Sequence, residues 1–532
     1  MTTRLSPKPD TKKESIIVDV EENTRASDLD NLGLPVSGTP ERLKAERKLV
    51  RKLDSRLLPT VFVIFIMNYI DVEHAHLSKQ RNGITTARLK GMQQDLGISG
   101  QYISAEICID IQYATVIAVL YASYCPAQIP SNMVCYHRPS LYIGLCVILW
   151  GLTSALTGVT KNFAGILACR MFIGLPESAF YPGASYLLSR WYTKKELAFR
   201  LAILYSGLLI SNAFGSLMAA GILANMEGKR GIRAWRWWLL PDYVRYLLSV
   251  AVAFSIQSYQ PHNTSWISPN ERRLALARIS EDAGEADQDN AEDSPLKGLR
   301  MAISDPLVLI FTIQTVSQLL GLSFVNFFPT LTQTLGFSTT ISLLLAAPPW
   351  VFASIACCLS AWHADRTGER FFHIAGWWWG VIVGFIIGLS TMKIPGRYVA
   401  MFLMASGYAG FAMTLVWVSN AIPRPPAKRA AAMGIVNGIG NLGNLIGSYT
   451  WKTEWGPEYH QSMAISLAAL VFSTILAWVT RQMLIQKNNQ LDADENAALK
   501  DADRARVEEA ARLEGLTFQQ AMERRKGYRY LY

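Results

Sequence analysis

CRMFIGLPESAFYPGASYLLSRW, residues 169–191, is the stretch that decides the fold. It is apolar and long enough to cross a bilayer, yet it contains Arg170 and Glu177. A charge at bilayer depth costs roughly 2.5–3.5 kcal/mol, so such residues persist where they face a partner, a water-filled cavity or a solute. Residues that permit a local break or a close helix contact also lie here: Gly174, Pro176, Pro182 and Gly183. The stretch therefore predicts a helix that lines a transport pathway.

The composition indicates a polytopic membrane protein. The 532 residues are 50% hydrophobic and 17% charged, whereas soluble proteins carry about 25% charged residues. The net charge of +10 is spread over termini and short loops, so we expect no nucleic-acid partner. The seven cysteines show no CxxC or Cys/His spacing, which argues against a disulfide framework or a metal site. We expect a lipid bilayer as the environment, and no cofactor.

The apolar runs fall into two groups of six. They cover residues 57–71, 113–135, 141–160, 163–189, 198–226 and 235–256, then 305–328, 341–362, 371–392, 398–422, 430–450 and 463–485. This layout predicts an all-α membrane protein with twelve helices in two pseudo-symmetric six-helix bundles and a binding site between them. The predicted domains are a disordered cytosolic N-terminal tail (1–52), the first bundle (53–256), a cytosolic linker (257–304), the second bundle (305–485) and a cytosolic C-terminal tail (486–532).

Arg170 and Glu177 are seven residues apart, which places them on one helix face two turns apart. The separation of about 10 Å along the axis is too long for a direct pair, so each needs partners on other helices. One interpretation is that the positive charge binds an anionic substrate group while the carboxylate takes part in proton coupling. The alternative is a structural ion pair between helices.

Further polar residues within or beside the apolar runs are candidates for the substrate or proton pathway. They are Asn68, Asp71, Tyr124, Gln128, Asn212, Gln318, Asn326, Trp417, Asn437 and Asn441. Asp71 is equally compatible with an interfacial acid, and the glycines around Asn212 favour a polar contact between helices. Asn437, Asn441 and Asn444 recur at i, i+4 and i+7 and predict one stripe of one helix. That stripe either binds a polar substrate or joins helices.

SAWHADRTGERF, residues 360–371, forms a short charged turn between two apolar runs. Its motif residues are Asp365, Arg366, Gly368 and Arg370. They predict caps on helix ends and charge pairs across the bundle that hold one conformation. We interpret His363 as part of this loop rather than as a metal ligand, because no other His lies at ligand spacing from it.

These stretches resemble the major facilitator superfamily, in particular the anion:cation symporter branch with the fungal allantoate, nicotinate and pantothenate permeases. The most specific parts are 169–192, PSNM (130–133), GKRGIRAWRW (228–237), 324–350 and the turn at 360–371, which looks like the loop motif GxxxDRxGR. The resemblance implies alternating access between two bundles, commonly with proton symport of a small organic anion. It also implies that Arg170 and Glu177 line the central cavity, and that Asp365, Arg366 and Arg370 serve the conformational switch.

The sequence departs from that family at three places. VEHAHLSKQ (72–80) separates Asp71 from Arg81, and QYISAEICIDI (101–111) precedes the second run. The sixth run is interrupted by Pro241, Asp242 and Arg245. We hypothesise that these places reflect retained intron sequence or a faulty gene model; a transcript that encodes 72–80 and 101–111 would contradict this.

The resemblance favours a monomeric secondary transporter in the plasma membrane that imports a small carboxylate such as a vitamin or ureide together with protons. Two alternatives remain: an efflux carrier for a secondary metabolite of a biosynthetic gene cluster, and a nutrient sensor that does not transport. An enzyme is disfavoured, because the sequence has no HExxH motif and no GxSxG elbow within a span.

Overall fold

The computed structural model describes residues 39–74, 103–137, 139–157, 160, 162–225, 266–283, 295–422 and 425–498. These residues form helices and contain no β-strand. The helices up to the linker are α1 (Pro40–His74), α2 (Ile103–His137), α3 (Pro139–Thr157), α4 (Phe163–Glu177), α5 (Phe180–Ser189), α6 (Lys194–Asn225) and α7 (Pro269–Ala283). Those that follow are α8 (Pro295–Ile303), α9 (Pro306–Gly321), α10 (Phe328–Gln333), α11 (Thr339–Thr367), α12 (Phe371–Ser390), α13 (Ile394–Ala421), α14 (Pro426–Gly440), α15 (Leu442–Gly447) and α16 (His460–Ala498), with 3-10 turns at Ser323–Phe327 and Thr453–Trp455.

Seven helical stretches in the described part are long and apolar enough to cross a membrane. They are Phe163–Ser189, Lys194–Met218, Pro306–Val325, Thr339–Thr367, Phe371–Ser390, Ile394–Ala421 and His460–Ala493. They correspond to the predicted fourth, fifth, seventh to tenth and twelfth runs. The first three predicted runs fall within or overlap α1, α2 and α3, and the sixth, 235–256, lies outside the described residues.

The chain divides into two compact units. The described part of the first comprises residues 39–51, 266–283 and 489–498. Within it, the buried Arg42 guanidinium pairs with Glu46 at 2.9 Å and with Glu281 at 3.0 Å. The second unit contains the remaining described residues and all seven candidate spans except the last residues of α16.

Helix α1 begins at Pro40, inside the segment 1–52 that the sequence predicted as a disordered tail. Three leucines four residues apart form its buried face: Leu49, Leu53 and Leu57. The charged residues that suggested disorder lie between them. The prediction is therefore wrong for residues 40–52, and residues 1–38 lie outside the described part.

Local sequence determines where several helices begin and end. The Asn162 side chain caps α4 by accepting the Gly165 N–H at 2.8 Å. Asp305 caps α9 in the same way, with Pro306 at the first helical position; both are common features of helix starts. Helix α11 ends at Gly368, whose φ of +71° is left-handed and suits glycine.

The predicted fourth span is broken between α4 and α5 at residues 178–179. Pro182 has no N–H for the carbonyl of residue 178, so the helical ladder is interrupted there. The outer face of α4 carries Met171 and Phe172, which are 54% and 63% exposed in the protein alone and suit lipid contact. The opposite face of α4 is buried.

The position of each span in the second unit follows from its burial. The most apolar 18-residue window of α13 is 83% buried, whereas the corresponding windows of α12 and α16 are 39% buried. Helix α13 therefore lies inside the bundle, and α12 and α16 present broad apolar faces outward.

Candidate functional site

The inner face of α4 packs against α2 through Gly174. A Cβ at this glycine would lie 2.7 Å from the Leu120 carbonyl oxygen and 3.0 Å from the Tyr124 nitrogen, and would also overlap the Ser123 hydroxyl. Only glycine allows this approach. The contact places the face of α4 that carries Arg170 and Glu177 toward the interior.

Arg170 and Glu177 are 1% and 3% exposed. Both charges are therefore inside the helical bundle and away from lipid. Neither residue is among the described residues that line the cavity between the helices, which is described next. Their predicted roles in anion binding and proton coupling stay predictions.

A cavity lies between helices that precede the linker and helices that follow it, which we call the first and second parts of the chain. It is lined by Tyr121, Tyr124, Tyr181, Tyr205, Leu208, Asn212, Leu319, Val325, Tyr408, Phe411, Asn437, Asn441 and Asn444, and we call it the central cavity. The space open to the centres of water molecules is about 50 Å³, room for about three to five waters. A bound organic solute therefore requires the surrounding helices to move apart.

Four rings in the central cavity form an aromatic cluster: Tyr181, Tyr205, Tyr408 and Phe411. Tyr181 and Tyr205 come from α5 and α6, and Tyr408 and Phe411 come from α13. The Tyr205 and Tyr408 rings are nearly parallel, with an interplanar angle of 15° and centroids 6.4 Å apart. Tyr205 and Phe411 meet edge to face at 5.5 Å. The aromatic cluster thus joins the two parts of the chain.

The predicted asparagine stripe lines the central cavity. Asn441 forms a one-residue break between α14 and α15. Its backbone is still helical, and the hydrogen bonds from the Asn441 N–H to the Asn437 carbonyl and from the Leu445 N–H to the Asn441 carbonyl keep the three asparagines on one stripe. The Asn441 amide donates to the Asn437 carbonyl at 2.7 Å, and the Asn444 amide donates to Asn441 Oδ1 at 3.0 Å. These bonds connect the two helices across the break.

Next to the central cavity, α2 contacts α14. The Asn437 amide donates to Gln128 Oε1 at 2.8 Å, and the Asn132 amide donates to the Ala430 carbonyl at 2.6 Å. Gly438 makes this approach possible, because a Cβ there would lie 2.9 Å from the Cys125 carbonyl oxygen. Gln128 therefore joins α2 to α14 in this conformation.

Other predicted pathway residues lie elsewhere. The Gln318 amide and the Thr414 hydroxyl are 3.1 Å apart and join α9 to α13. Trp417 is fully buried with its ring centroid 5.3 Å from that of Phe311. The structure places Asn68 and Asp71 in α1 and Asn326 in a 3-10 turn; their side chains lie outside the described part.

The predicted motif in the turn brings a carboxylate onto the start of α6. Asp365 Oδ1 accepts the Ala198 N–H at 3.2 Å, and Oδ2 accepts the Phe199 N–H at 2.8 Å. The Arg370 guanidinium donates to Asp365 at 3.0 Å and to the Lys194 carbonyl at 2.8 Å. We call these five residues the loop cluster. It ties the turn between α11 and α12 to a helix from the first part of the chain.

The remaining motif residues stabilise the turn itself. Gly368 provides the left-handed end of α11, and the exposed Arg366 lies over the Trp362 ring at 3.9 Å. His363 Nδ1 is 2.6 Å from His373 Nε2, and His373 Nδ1 is 3.0 Å from Glu369. The turn brings together two histidines ten residues apart, a contact that their spacing in the sequence did not indicate.

Sequence reasoning missed most of the aromatic lining. The candidates from the sequence include Tyr124 but none of the other rings that line the cavity, which are Tyr121, Tyr181, Tyr205, Tyr408 and Phe411. A usable signal exists on α6, where Tyr205, Leu208 and Asn212 recur at i, i+3 and i+7 and so share one face. Tyr408 and Phe411 have the same i, i+3 relation on α13.

Comparisons with known proteins agree with this architecture. A family model described as Major Facilitator Superfamily matches residues 75–448. The chain is 29% identical over 475 residues to the MFS-type transporter cnsO of Penicillium expansum, covering 84% of this chain and 85% of that protein. It is 25% identical over 466 residues to the major facilitator-type transporter hxnP of Emericella nidulans, covering 83% and 88%.

Solved structures resemble the chain in fold. The MFS proton:xylose symporter XylE, bound to 6-bromo-6-deoxy-D-glucose, has a TM-score of 0.60 at 14% identity and covers 80% of this chain and 96% of that chain. The human organic anion transporter MFSD10 has a TM-score of 0.54 at 13% identity and covers 80% and 99%. At these identities the likeness concerns the fold alone.

Proposed function

Because the chain belongs to the major facilitator superfamily, we propose that it carries a small organic anion through the central cavity by alternating access, coupled to protons. The chain is an integral, multi-pass membrane protein of a superfamily of transporters. We further propose the anion:cation symporter branch, import, a plasma-membrane location and a monomer.

The observation that carries the proposal is the central cavity between helices from the two parts of the chain. Its walls come from α2, α5 and α6 on one side and from α9, α13, α14 and α15 on the other. This is the arrangement expected for a substrate site at the interface of two repeats near the middle of the membrane. We propose 53–256 and 305–485 as the two bundles, joined by the linker 257–304.

The buried charges of α4 support coupling to protons and to an anion. Glu177 ends α4 and lies four residues before Tyr181 of the central cavity, across the break at residues 178–179. Arg170 lies on the same face two turns earlier. Ionisable residues inside a membrane default to functional roles, so we assign Glu177 to the proton and Arg170 to the carboxylate of the solute.

Uptake into proteoliposomes tests the proposal. The full chain is reconstituted, and accumulation of labelled nicotinate, pantothenate, allantoate and small peptides is measured with and without a pH gradient. We expect the gradient to drive accumulation of one of these solutes. Glu177→Gln should abolish that accumulation and spare exchange, since exchange needs no net proton movement.

The control is Glu454→Gln, which removes an exposed carboxylate from the loop before α16 and should leave accumulation intact. Gradient-driven accumulation that persists in Glu177→Gln would remove this residue from proton coupling. Failure of every solute to accumulate under a pH gradient would contradict the proposed function.

A further inference from the structure

We propose that the solute of the central cavity is a planar aromatic acid, with its ring held between Tyr205 and Tyr408 and its polar group held by Asn212. This inference rests on the proposed function, because it names the class of anion that the same cavity accepts. It is carried by the aromatic cluster and by one amide of the lining.

The aromatic cluster is built to hold a flat ring. Tyr205 and Tyr408 face each other almost in parallel, with centroids 6.4 Å apart. A ring inserted between two others needs about 7 Å, because carbon atoms pack at about 3.5 Å. Tyr205 belongs to the first part of the chain and Tyr408 to the second. The helices that carry the two tyrosines therefore have to move apart before a ring can enter between them.

Each stacking partner is fixed in place by its neighbours. The Tyr408 hydroxyl donates to the Leu322 carbonyl at 3.0 Å, and the Trp350 ring packs against the Tyr408 ring at 5.6 Å. Tyr205 contacts Tyr181 at 5.6 Å. Rigid rings lose little conformational entropy on binding, so such walls favour aromatic over aliphatic solutes.

Asn212 provides a polar group. It lines the central cavity and is 2% exposed. An amide offers both hydrogen-bond donors and an acceptor, so it can bind the polar group of a solute in the cavity. Asn212 and Tyr205 lie on one face of α6 about 10 Å apart along its axis, which suits a ring connected to a carboxyl group by a short chain.

The described lining contains no Lys, Arg, Asp or Glu. Amide and phenol groups therefore supply the hydrogen bonds there, and stacking supplies the selectivity. The competing explanation is that the aromatic cluster only closes the pathway and has no role in choosing the solute. The two explanations differ in whether ring aromaticity changes affinity.

Binding of two matched acids distinguishes these two explanations of the aromatic cluster. The purified full chain is titrated with 3-phenylpropanoate and with 3-cyclohexylpropanoate, and dissociation constants are obtained from the shift of the thermal midpoint. The probes share charge, chain length and ring size, and they differ in aromaticity. We expect 3-phenylpropanoate to bind about tenfold more tightly, from stacking on two ring faces.

Substitutions then show which residues cause the difference in affinity between the two acids. Tyr205→Leu and Tyr408→Leu should bring the affinity ratio close to one, whereas Asn212→Leu should weaken both probes and keep the ratio. The control is Phe402→Leu on α13, which removes a ring that packs on Tyr398 and Phe352 and lies outside the described lining of the central cavity. It should leave both affinities unchanged. The comparison of the two acids in the unsubstituted protein does not depend on the folding of any variant.

Equal affinities for the two acids, or binding of neither, would overturn the inference. A ratio that survives both tyrosine substitutions would overturn it as well. Equal binding of the two acids leaves the proposed anion carrier standing. If neutral 3-phenylpropanamide binds as tightly as 3-phenylpropanoate, the aromatic class is supported and the anion specificity of the proposed function fails.

Discussion

Asp365 and Arg370 are buried, with 8% and 0% of their surface exposed, and both side chains make hydrogen bonds. The carboxylate accepts two backbone N–H groups near the start of α6, where the helix dipole favours a negative charge. The guanidinium donates to that carboxylate and to the Lys194 carbonyl. Burial of the Asp365 carboxylate is tolerable here because three hydrogen bonds, one of them from the Arg370 guanidinium, satisfy it.

Asp365→Asn should therefore destabilise the protein strongly. The substitution keeps the shape of the side chain but leaves the Arg370 charge buried without its counterion. Removing one partner of a buried pair costs about 3–5 kcal/mol. We expect a lower thermal midpoint in detergent than for Glu369→Gln, a control in the same turn. Equal midpoints for the two variants would show that the loop cluster contributes little to stability.

Asp305 gives a prediction about pH. Burial alone would raise its pKa, but hydrogen bonds from Lys428 at 2.7 Å and from the Leu307 N–H hold the pKa below its ordinary value. A carboxyl whose pKa is lowered on folding stabilises the protein above its unfolded pKa of about 3.9 and loses that effect as the pH falls through the folded pKa.

Asp305→Asn isolates this charge, because asparagine caps helices about as well as aspartate. The variant should have a lower thermal midpoint than the unsubstituted protein at pH 7. The difference should shrink as the pH is lowered below about 4. A difference that stays constant from pH 7 to pH 3 would mean that the Asp305 charge is not its source.

At the scale of the helix, the packing of α4 on α2 depends on the small size of Gly174. In Gly174→Ala the added methyl would meet the Leu120 carbonyl at 2.7 Å, and overpacking of this kind costs about 1–3 kcal/mol. Because Arg170 and Glu177 share this face, their positions should shift as well. We expect a lower thermal midpoint and slower uptake in proteoliposomes.

Gly376→Ala is the matched control for that substitution. Its glycine lies on α12 with nothing within 4 Å of an added Cβ. Alanine favours helix over glycine by roughly 0.5–1 kcal/mol, so this variant should be as stable as the parent or more so. If Gly174→Ala behaved like Gly376→Ala, close packing of α4 on α2 would not limit stability.

The apolar pattern predicted the helical fold, and Pro176 and Pro182 are among the residues that permit the local break found at 178–179. It did not predict the one-residue break at Asn441, although Gly440 precedes that residue and glycine weakens a helix. Nor could it predict the lining of the central cavity. Tyr181, Tyr205 and Tyr408 lie on three helices distant in the chain, and a single helix pattern cannot distinguish a cavity tyrosine from a packed one. Gln318 and Trp417 make contacts between helices in this structure, and their place in the pathway stays a prediction.

At the scale of the whole molecule, two contacts between helices before and after the linker lie at one end of the central cavity. Successive spans run in opposite directions, so the end of α2, the start of α6, the end of α11 and the start of α14 lie on the same side. The loop cluster and the Asn132–Ala430 hydrogen bond both lie there. This end is therefore closed in the observed conformation. Alternating access requires that it open.

A reversible cross-link across this end tests that requirement. An ideal Cβ at Gly434 lies 3.2 Å from the Asn132 Cβ, close to the 3.5–4.5 Å of a disulfide. In a background without the seven native cysteines, oxidation of Asn132→Cys/Gly434→Cys should join α2 to α14. We expect uptake in proteoliposomes to stop and to recover on reduction. The control pair, Thr315→Cys/Gly440→Cys, lies entirely in the second part of the chain with a Cβ separation of 3.0 Å, so its cross-link should leave uptake intact. Full transport by the oxidised Asn132→Cys/Gly434→Cys protein would mean that α2 and α14 stay together throughout the cycle and that the pathway opens elsewhere.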